Sequence, residues 1–213
     1  MSVKNRPEHN DGLANPFNNI ENQKYITDPV FLIGNGNSRK IFDLERLRGV
    51  GTIIGCNGLY REFTPDLLVS IDAKLIKEIG KSGYSGQCII PLNRTVELPT
   101  AFKWKTERFN TSGCFGLKFI SKLLKPKECY MLGMDGYPGN VYDGTENYAT
   151  NSLQNFSGVI KYYIQTLQEP DETVFINVND KDMWGPEAHA TGRYKNITYT
   201  EFEEKLNVGF NRK

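Results

Sequence analysis

The sequence predicts an α/β protein: a single doubly wound, Rossmann-like, mostly parallel sheet flanked by helices. Three observations predict it. Apolar runs of strand length alternate along the chain with stretches of helical length or spacing. Several of those runs are apolar almost throughout, as strands covered on both faces must be. Glycine- and asparagine-rich turns follow one run after another, at the carboxyl ends of strands, where a sheet of this kind places its ligand crevice.

Strands are expected at residues 29–33, 52–56, 67–71, 88–91, 129–132 and 174–178. Helices are expected at 39–47, 73–79, 113–124 and 152–167. Strand and helix taking turns implies right-handed crossovers between parallel strands. Residues 84–109 carry no clear period and read mostly as a loop-rich connection. Residues 1–24 form a polar, Asn-rich arm without the basic start and apolar core of a secretory signal. Residues 25–213 are then one nucleotide-binding domain, the size that a 213-residue chain allows.

Bulk charge excludes some functions. Lys plus Arg number 26 against 25 Asp plus Glu, so no overall field draws the molecule to nucleic acid or an anionic membrane. No apolar run approaches the roughly 20 residues of a spanning helix, and a cytoplasmic location is expected, that of a host cell if the chain is viral. Cys56, Cys88, Cys114 and Cys129 sit in or beside apolar segments without metal-ligand spacing, which points to buried reduced thiols.

The first strand ends in Gly34, Asn35, Gly36, Asn37 and Ser38. Glycines let the main chain approach a ligand, and amides at a following helix start can receive phosphate. Neither G-x-G-x-x-G nor the P-loop pattern is present, and a plain tight turn is the competing account. The second strand runs into Asn57, whose amide can both donate and accept toward a base or ribose. Asp72 ends the third as a substrate contact or a helix cap. Thr111, Ser112 and Gly113 open a helix as an N-cap, an anion site, or both. Basic residues between 103 and 127, opposed locally only by Glu107, form either a solvated face or a contact for phosphates. After the strand at 129–132 come Asp135, a candidate base, and Tyr137, Tyr142 and Tyr148, phenols able to stabilise a departing phosphate unless they are mere surface residues of a turn.

Taken in order, Phe31 to Ser38 (FLIGNGNS), Gly55 to Asn57, Pro65-Asp66, Thr111 to Gly113 and Leu132 to Asp135 resemble the bacterial lipooligosaccharide sialyltransferase family. They are similar too to the hydroxymethylpterin diphosphokinase-like and motility accessory factor proteins. The resemblance spans roughly residues 29–148. It implies a glycosyltransferase with a CMP- or UDP-linked sugar donor, held by Asn35, Asn57 and Ser112, with Tyr137 and Tyr142 steadying the leaving phosphate. The family's general-base histidine has no counterpart in residues 148–168. The histidines available are His9 in the arm and His189 after the last expected strand; Asp72 or Asp135 are the alternative bases. A D-x-D at Asp180 and Asp182 could hold magnesium or manganese, though no obligatory metal is expected. The acceptor is either a glycan or a modified cytosine in DNA. Diphosphate transfer to a small alcohol such as a pterin, and a non-catalytic nucleotide-binding role, are the competing functions.

Overall fold

The computed structural model describes residues 27–95, 98, 101–107, 109–149 and 156–210; the arm at 1–24 with its His9, and Arg108 of the basic stretch, lie outside them. The described chain forms one eight-stranded sheet, every neighbouring pair parallel, flanked by helices in a Rossmann-like arrangement. The strands are β1 (Val30–Ile33), β2 (Thr52–Cys56), β3 (Leu67–Val69), β4 (Gln87–Pro91), β5 (Ala101–Trp104), β6 (Glu128–Leu132), β7 (Val174–Val178) and β8 (Tyr194–Ile197). Their order is 5-4-3-2-1-6-7-8, so the chain reverses direction across the sheet between β1 and β6. A reversal leaves a crevice outside the carboxyl ends of those two strands, because their following loops diverge to opposite sides.

Alternate residues of the central strands feed two cores. Val30, Leu32, Cys129 and Met131 face one side, where the helices α2 (Ser112–Phe119), α3 (Phe156–Leu167) and α4 (Gly185–His189) pack. Phe31, Ile33, Tyr130 and Leu132 face the other, with α1 (Ala73–Lys81) and α5 (Tyr199–Val208). Phe202 of α5 lies 5.4 Å from the Tyr130 ring and 6.2 Å from Phe31. Burying a ring of this kind contributes roughly 1.5–3 kcal/mol, which explains why strands this short hold their register. Every residue of α2 is buried; it crosses the middle of the sheet and continues into one π-helical turn at Ile120–Leu124.

Local structure departs from expectation in four places. Residues 39–47 form no α-helix but two 3-10 turns, Asn37–Ile41 and Leu44–Leu47, separated by extended Phe42 and capped at Asp43, whose carboxylate accepts from the Glu45 amide at 3.0 Å. Arg39 is pulled inward there by Glu62 (2.7 Å) and Tyr142 (3.0 Å), a tertiary demand that overrides helical spacing. The strand at 67–71 ends at Val69, since the Ile71 amide turns to the Ser112 hydroxyl at 3.1 Å. The connection at 84–109 contains the edge strand β5. Beyond β7 the chain adds α4, β8 and α5, the last opened by a capping box between Thr198 and Glu201.

The expected basic surface at 103–127 is broken up as well. Lys118 is buried and bonded to Glu169 at 2.6 Å, and Lys122 pairs with the same carboxylate at 2.7 Å. Glu169, at the far end of α3, supplies the opposition that local sequence lacked. No described helix is long and apolar enough to cross a membrane.

Candidate functional site

The crevice at the reversal is a cleft of about 620 Å³, lined by the loops after β1, β2, β3, β4 and β6 and by the start of α2. Its floor is backbone against backbone. The Gly34 amide donates to the Leu132 carbonyl at 2.8 Å, and the Gly36 amide to the Gly133 carbonyl at 2.9 Å. A Cβ on Gly34 would fall 2.3 Å from the Gly133 oxygen, so only glycine permits this approach.

Asp135 is buried at the end of β6 and holds the first loop shut. Its carboxylate accepts from the Ser38 amide at 3.0 Å, from the Ser38 hydroxyl, and from Asn179 Nδ2 at 3.4 Å. Within the expected phosphate cradle at Gly34–Ser38, the turn start carries a 3-10 helix and the Ser38 amide is engaged by this internal carboxylate. The loop thereby joins β1 to β6.

The free amides are at α2. Thr111 caps the helix, its hydroxyl accepting from the Cys114 amide at 3.1 Å and lying 3.3 Å from the Tyr163 hydroxyl. The first two helical amides, Ser112 and Gly113, have no partner among the described residues, and the first turn holds no acidic side chain. Such a terminus favours an anion by its orphan donors and by the helix dipole. Arg94 lines the same cleft; its guanidinium has no hydrogen-bond partner among the described residues, and its Nε is buried. Arg94 is the sole Lys or Arg among the lining residues, and sequence reasoning missed it because it sits alone in an irregular segment.

Asn57 takes a left-handed conformation, φ 51°, which directs its side chain between β3 and α2. Its Oδ1 accepts from Ser70 Oγ at 3.0 Å and Ser112 Oγ at 2.6 Å, which leaves its Nδ2 without a partner among the described residues. Ser112 Oγ, accepting from Ile71, is thereby a brace and not a free hydroxyl. Asp72 caps α1 through Lys74, 2.7 Å away, and keeps its second oxygen available. Asn35, 9 % exposed, donates to the Tyr148 hydroxyl at 3.2 Å, while its Oδ1 is buried without a partner. Tyr148 also receives the Gly58 amide at 3.0 Å, so this residue closes the cleft from above by bridging the β1 and β2 loops.

The structure therefore gathers Gly34, Asn35, Gly36, Asn57, Asp72, Thr111, Ser112, Gly113, Asp135 and Tyr137 around one cavity, joined by Arg94, Tyr148 and Tyr163. Four expected site residues lie elsewhere. Asn37 and Ser38 line a neighbouring groove, which shares Tyr137 with the cleft. Tyr142 is buried behind the site, its hydroxyl donating to Glu62 at 2.5 Å and receiving Arg39, and burial followed by the Glu62 bond raises its pKa. His189 is on α4, against Asp182 and edge-on to the Tyr194 ring, away from the cleft lining. Of the D-x-D pair, Asp180 accepts from the Tyr199 amide at 3.0 Å, and Asp182 accepts from the Trp184 amide at 3.2 Å and the Tyr194 hydroxyl at 3.0 Å. Among the described residues no three His, Cys, Asp or Glu side chains gather as metal ligands.

Burial sets the protonation of the lining. The Cys56 thiol is pushed up to about 12, so it offers no thiolate at neutral pH. Burial likewise raises Tyr148 and Tyr163, and burial with the nearby Asp135 charge raises Tyr137. All three phenols are neutral donors at pH 7. No protein-family model, curated protein or solved structure matches the chain.

Proposed function

We propose that the protein is a transferase using a nucleotide-activated sugar, with the nucleotide bound in the crevice between the β1 and β6 loops. The observation that carries this reading is the convergence of the Ser112 and Gly113 amides, the Arg94 guanidinium and the Asn57 carboxamide in one cleft of nucleotide size. In this reading the phosphate rests on the α2 terminus and Arg94. Asn57 Nδ2 donates to a carbonyl or ring nitrogen of the base, and the free oxygen of Asp72 accepts from a ribose hydroxyl. Tyr137, kept neutral, donates to the phosphate oxygen on which charge develops as the sugar departs.

The sequence resemblance to sialyltransferases favours a pyrimidine donor, CMP- or UDP-linked. The test is a thermal-shift panel of CMP, UDP, GDP, ADP and ATP, each with and without magnesium, since a ligand of the folded state raises Tm. A rise with CMP or UDP, abolished by Arg94→Ala, supports the proposal. A rise confined to ATP with magnesium, with AMP released in the presence of a pterin alcohol, would replace it by diphosphate transfer. No rise with any nucleotide would remove it.

A further inference from the structure

The charges of the cleft are lopsided. Arg94 is the one cation of its described lining, against the carboxylates of Asp72, Asp135 and Asp143. Two further guanidiniums on the loops after β1 and β2 are already committed: Arg39 pairs with Glu62 at 2.7 Å and Arg61 with Glu78 at 2.6 Å. One guanidinium and the two orphan amides of α2 meet the nucleotide's phosphate, which leaves no positive group among the described residues for a further acid on the same ligand.

The bank that follows Tyr137 has a different character. Asn140 is held against the first loop by its bridge to Gly36, with the Val141 amide donating to the Asn35 carbonyl at 2.8 Å. Its Oδ1 accepts from the Tyr142 amide at 2.9 Å, so its Nδ2 is left to donate. The Asp143 carboxylate accepts from the Asn140 amide at 3.1 Å through Oδ2 and keeps Oδ1 open. Asn147 donates through Nδ2 to Glu78 at 2.6 Å, which leaves its Oδ1 to accept. The other two carboxylates add nothing to this set. Asp135 is enclosed by Ser38 and Asn179, and the free oxygen of Asp72 is assigned to the ribose. What remains on this bank is one donor and two acceptors, one of the acceptors charged.

A sugar hydroxyl both donates and accepts, and so satisfies such a set. A carboxylate only accepts, and here it would meet the like charge of Asp143. We infer that the sugar transferred is neutral: a polyhydroxylated glycosyl group without a carboxylate, held through its hydroxyls by Asn140, Asp143 and Asn147. This departs from the acidic sugar that a likeness to sialyltransferases suggests. It rests on the transferase reading above, in which Tyr137 meets the bond between sugar and phosphate and so sets the sugar against the residues that follow it.

The test is calorimetric titration of the full chain with UDP-glucose and UDP-galactose, with UDP-glucuronate and UDP-galacturonate, which carry a carboxylate in place of one hydroxymethyl group, and with CMP-N-acetylneuraminate. The neutral donors should bind at least about tenfold tighter than the acidic ones. Asp143→Asn keeps an acceptor for the Asn140 amide but removes the charge, and it should shrink that ratio to about threefold or less; Asp143→Lys should reverse it. Wild-type binding of a uronate or of CMP-N-acetylneuraminate as tight as that of the neutral donors overturns the inference. Failure of the neutral donors to bind, or a ratio that neither Asp143 variant moves, overturns it too. If CMP or UDP alone still raises Tm, such results remove the neutral sugar and leave the nucleotide site standing. No rise with any nucleotide removes the parent reading and this one with it. Asp143 is exposed, so both variants without ligand should match the wild-type Tm.

Discussion

Asp135 and Ser38 are joined twice, amide to carboxylate and hydroxyl to carboxylate, across 97 positions of sequence. The pair locks the loop after β1 onto the loop after β6. Asp135→Asn replaces one acceptor oxygen by a donor that faces another donor. A loss of about 1–3 kcal/mol in urea unfolding is expected, with Ser38→Ala costing less because the amide bond survives. Equal stability of Asp135→Asn and wild type would show that the two loops are held by other contacts.

Asn57 combines a strained backbone with a double acceptor. Asn57→Gly relieves the left-handed φ and loses the bonds from Ser70 and Ser112; Asn57→Ala loses the same bonds and keeps the strain. The alanine variant should be the less stable, by about 1 kcal/mol, and both should bind nucleotide more weakly than wild type. Chemical denaturation of the two variants side by side reads the difference directly.

Arg94→Ala should leave Tm unchanged in the absence of ligand, because the guanidinium holds nothing else in place among the described residues. Nucleotide affinity should fall about tenfold, and its dependence on salt should flatten. A drop in the Tm of the unliganded variant would mean that the arginine serves the fold instead.

Acid should destabilise the protein in a defined window. Burial pushes the carboxyls of Glu62 and Glu78 upward, yet their donors outweigh it: Tyr142 and Arg39 for the first, Tyr60, Asn147 and Arg61 for the second. Both are therefore held below the ordinary 4.5. A native pKa below the unfolded one adds stability that is fully present above 4.5 and disappears as pH falls through it toward the native value. Tm should be flat above that point and fall below it, and Glu78→Gln should have a shallower fall.

The two-core sheet was legible because alternating strand residues such as Phe31 and Leu32 are apolar on both faces, a pattern that only a covered parallel sheet requires. Residues 39–47 misled because Arg39 answers to Glu62 and Tyr142, partners that no local window contains. The short β8 shows why edges are hard to read: Tyr194 is its one buried residue, so neither alternation nor an apolar run marks it. The helix α5 was not expected either, although the pattern Thr198-x-x-Glu201 stands at its start. In the cleft, the turns at Gly34, Asn57 and Ser112 were legible from their glycines and amides. Arg94 and the bridging contacts of Tyr148 were not, since each depends on which loops the fold brings face to face.

In the proposed transferase, the complete burial of α2 bears on how the nucleotide is received. A helix wedged between the sheet and α3 has no room to slide or tilt, so the wall that meets the guest's negative end is rigid before anything arrives. Accommodation then falls to residues 136–149 on the opposite bank. That segment is tethered by side chains: Arg61 reaches Thr145 and the Glu146 carbonyl, each at 2.7 Å, and Asn147 reaches Glu78 at 2.6 Å. Entry and exit rates should follow the strength of that tether, while the orientation of the guest is dictated by the immovable side.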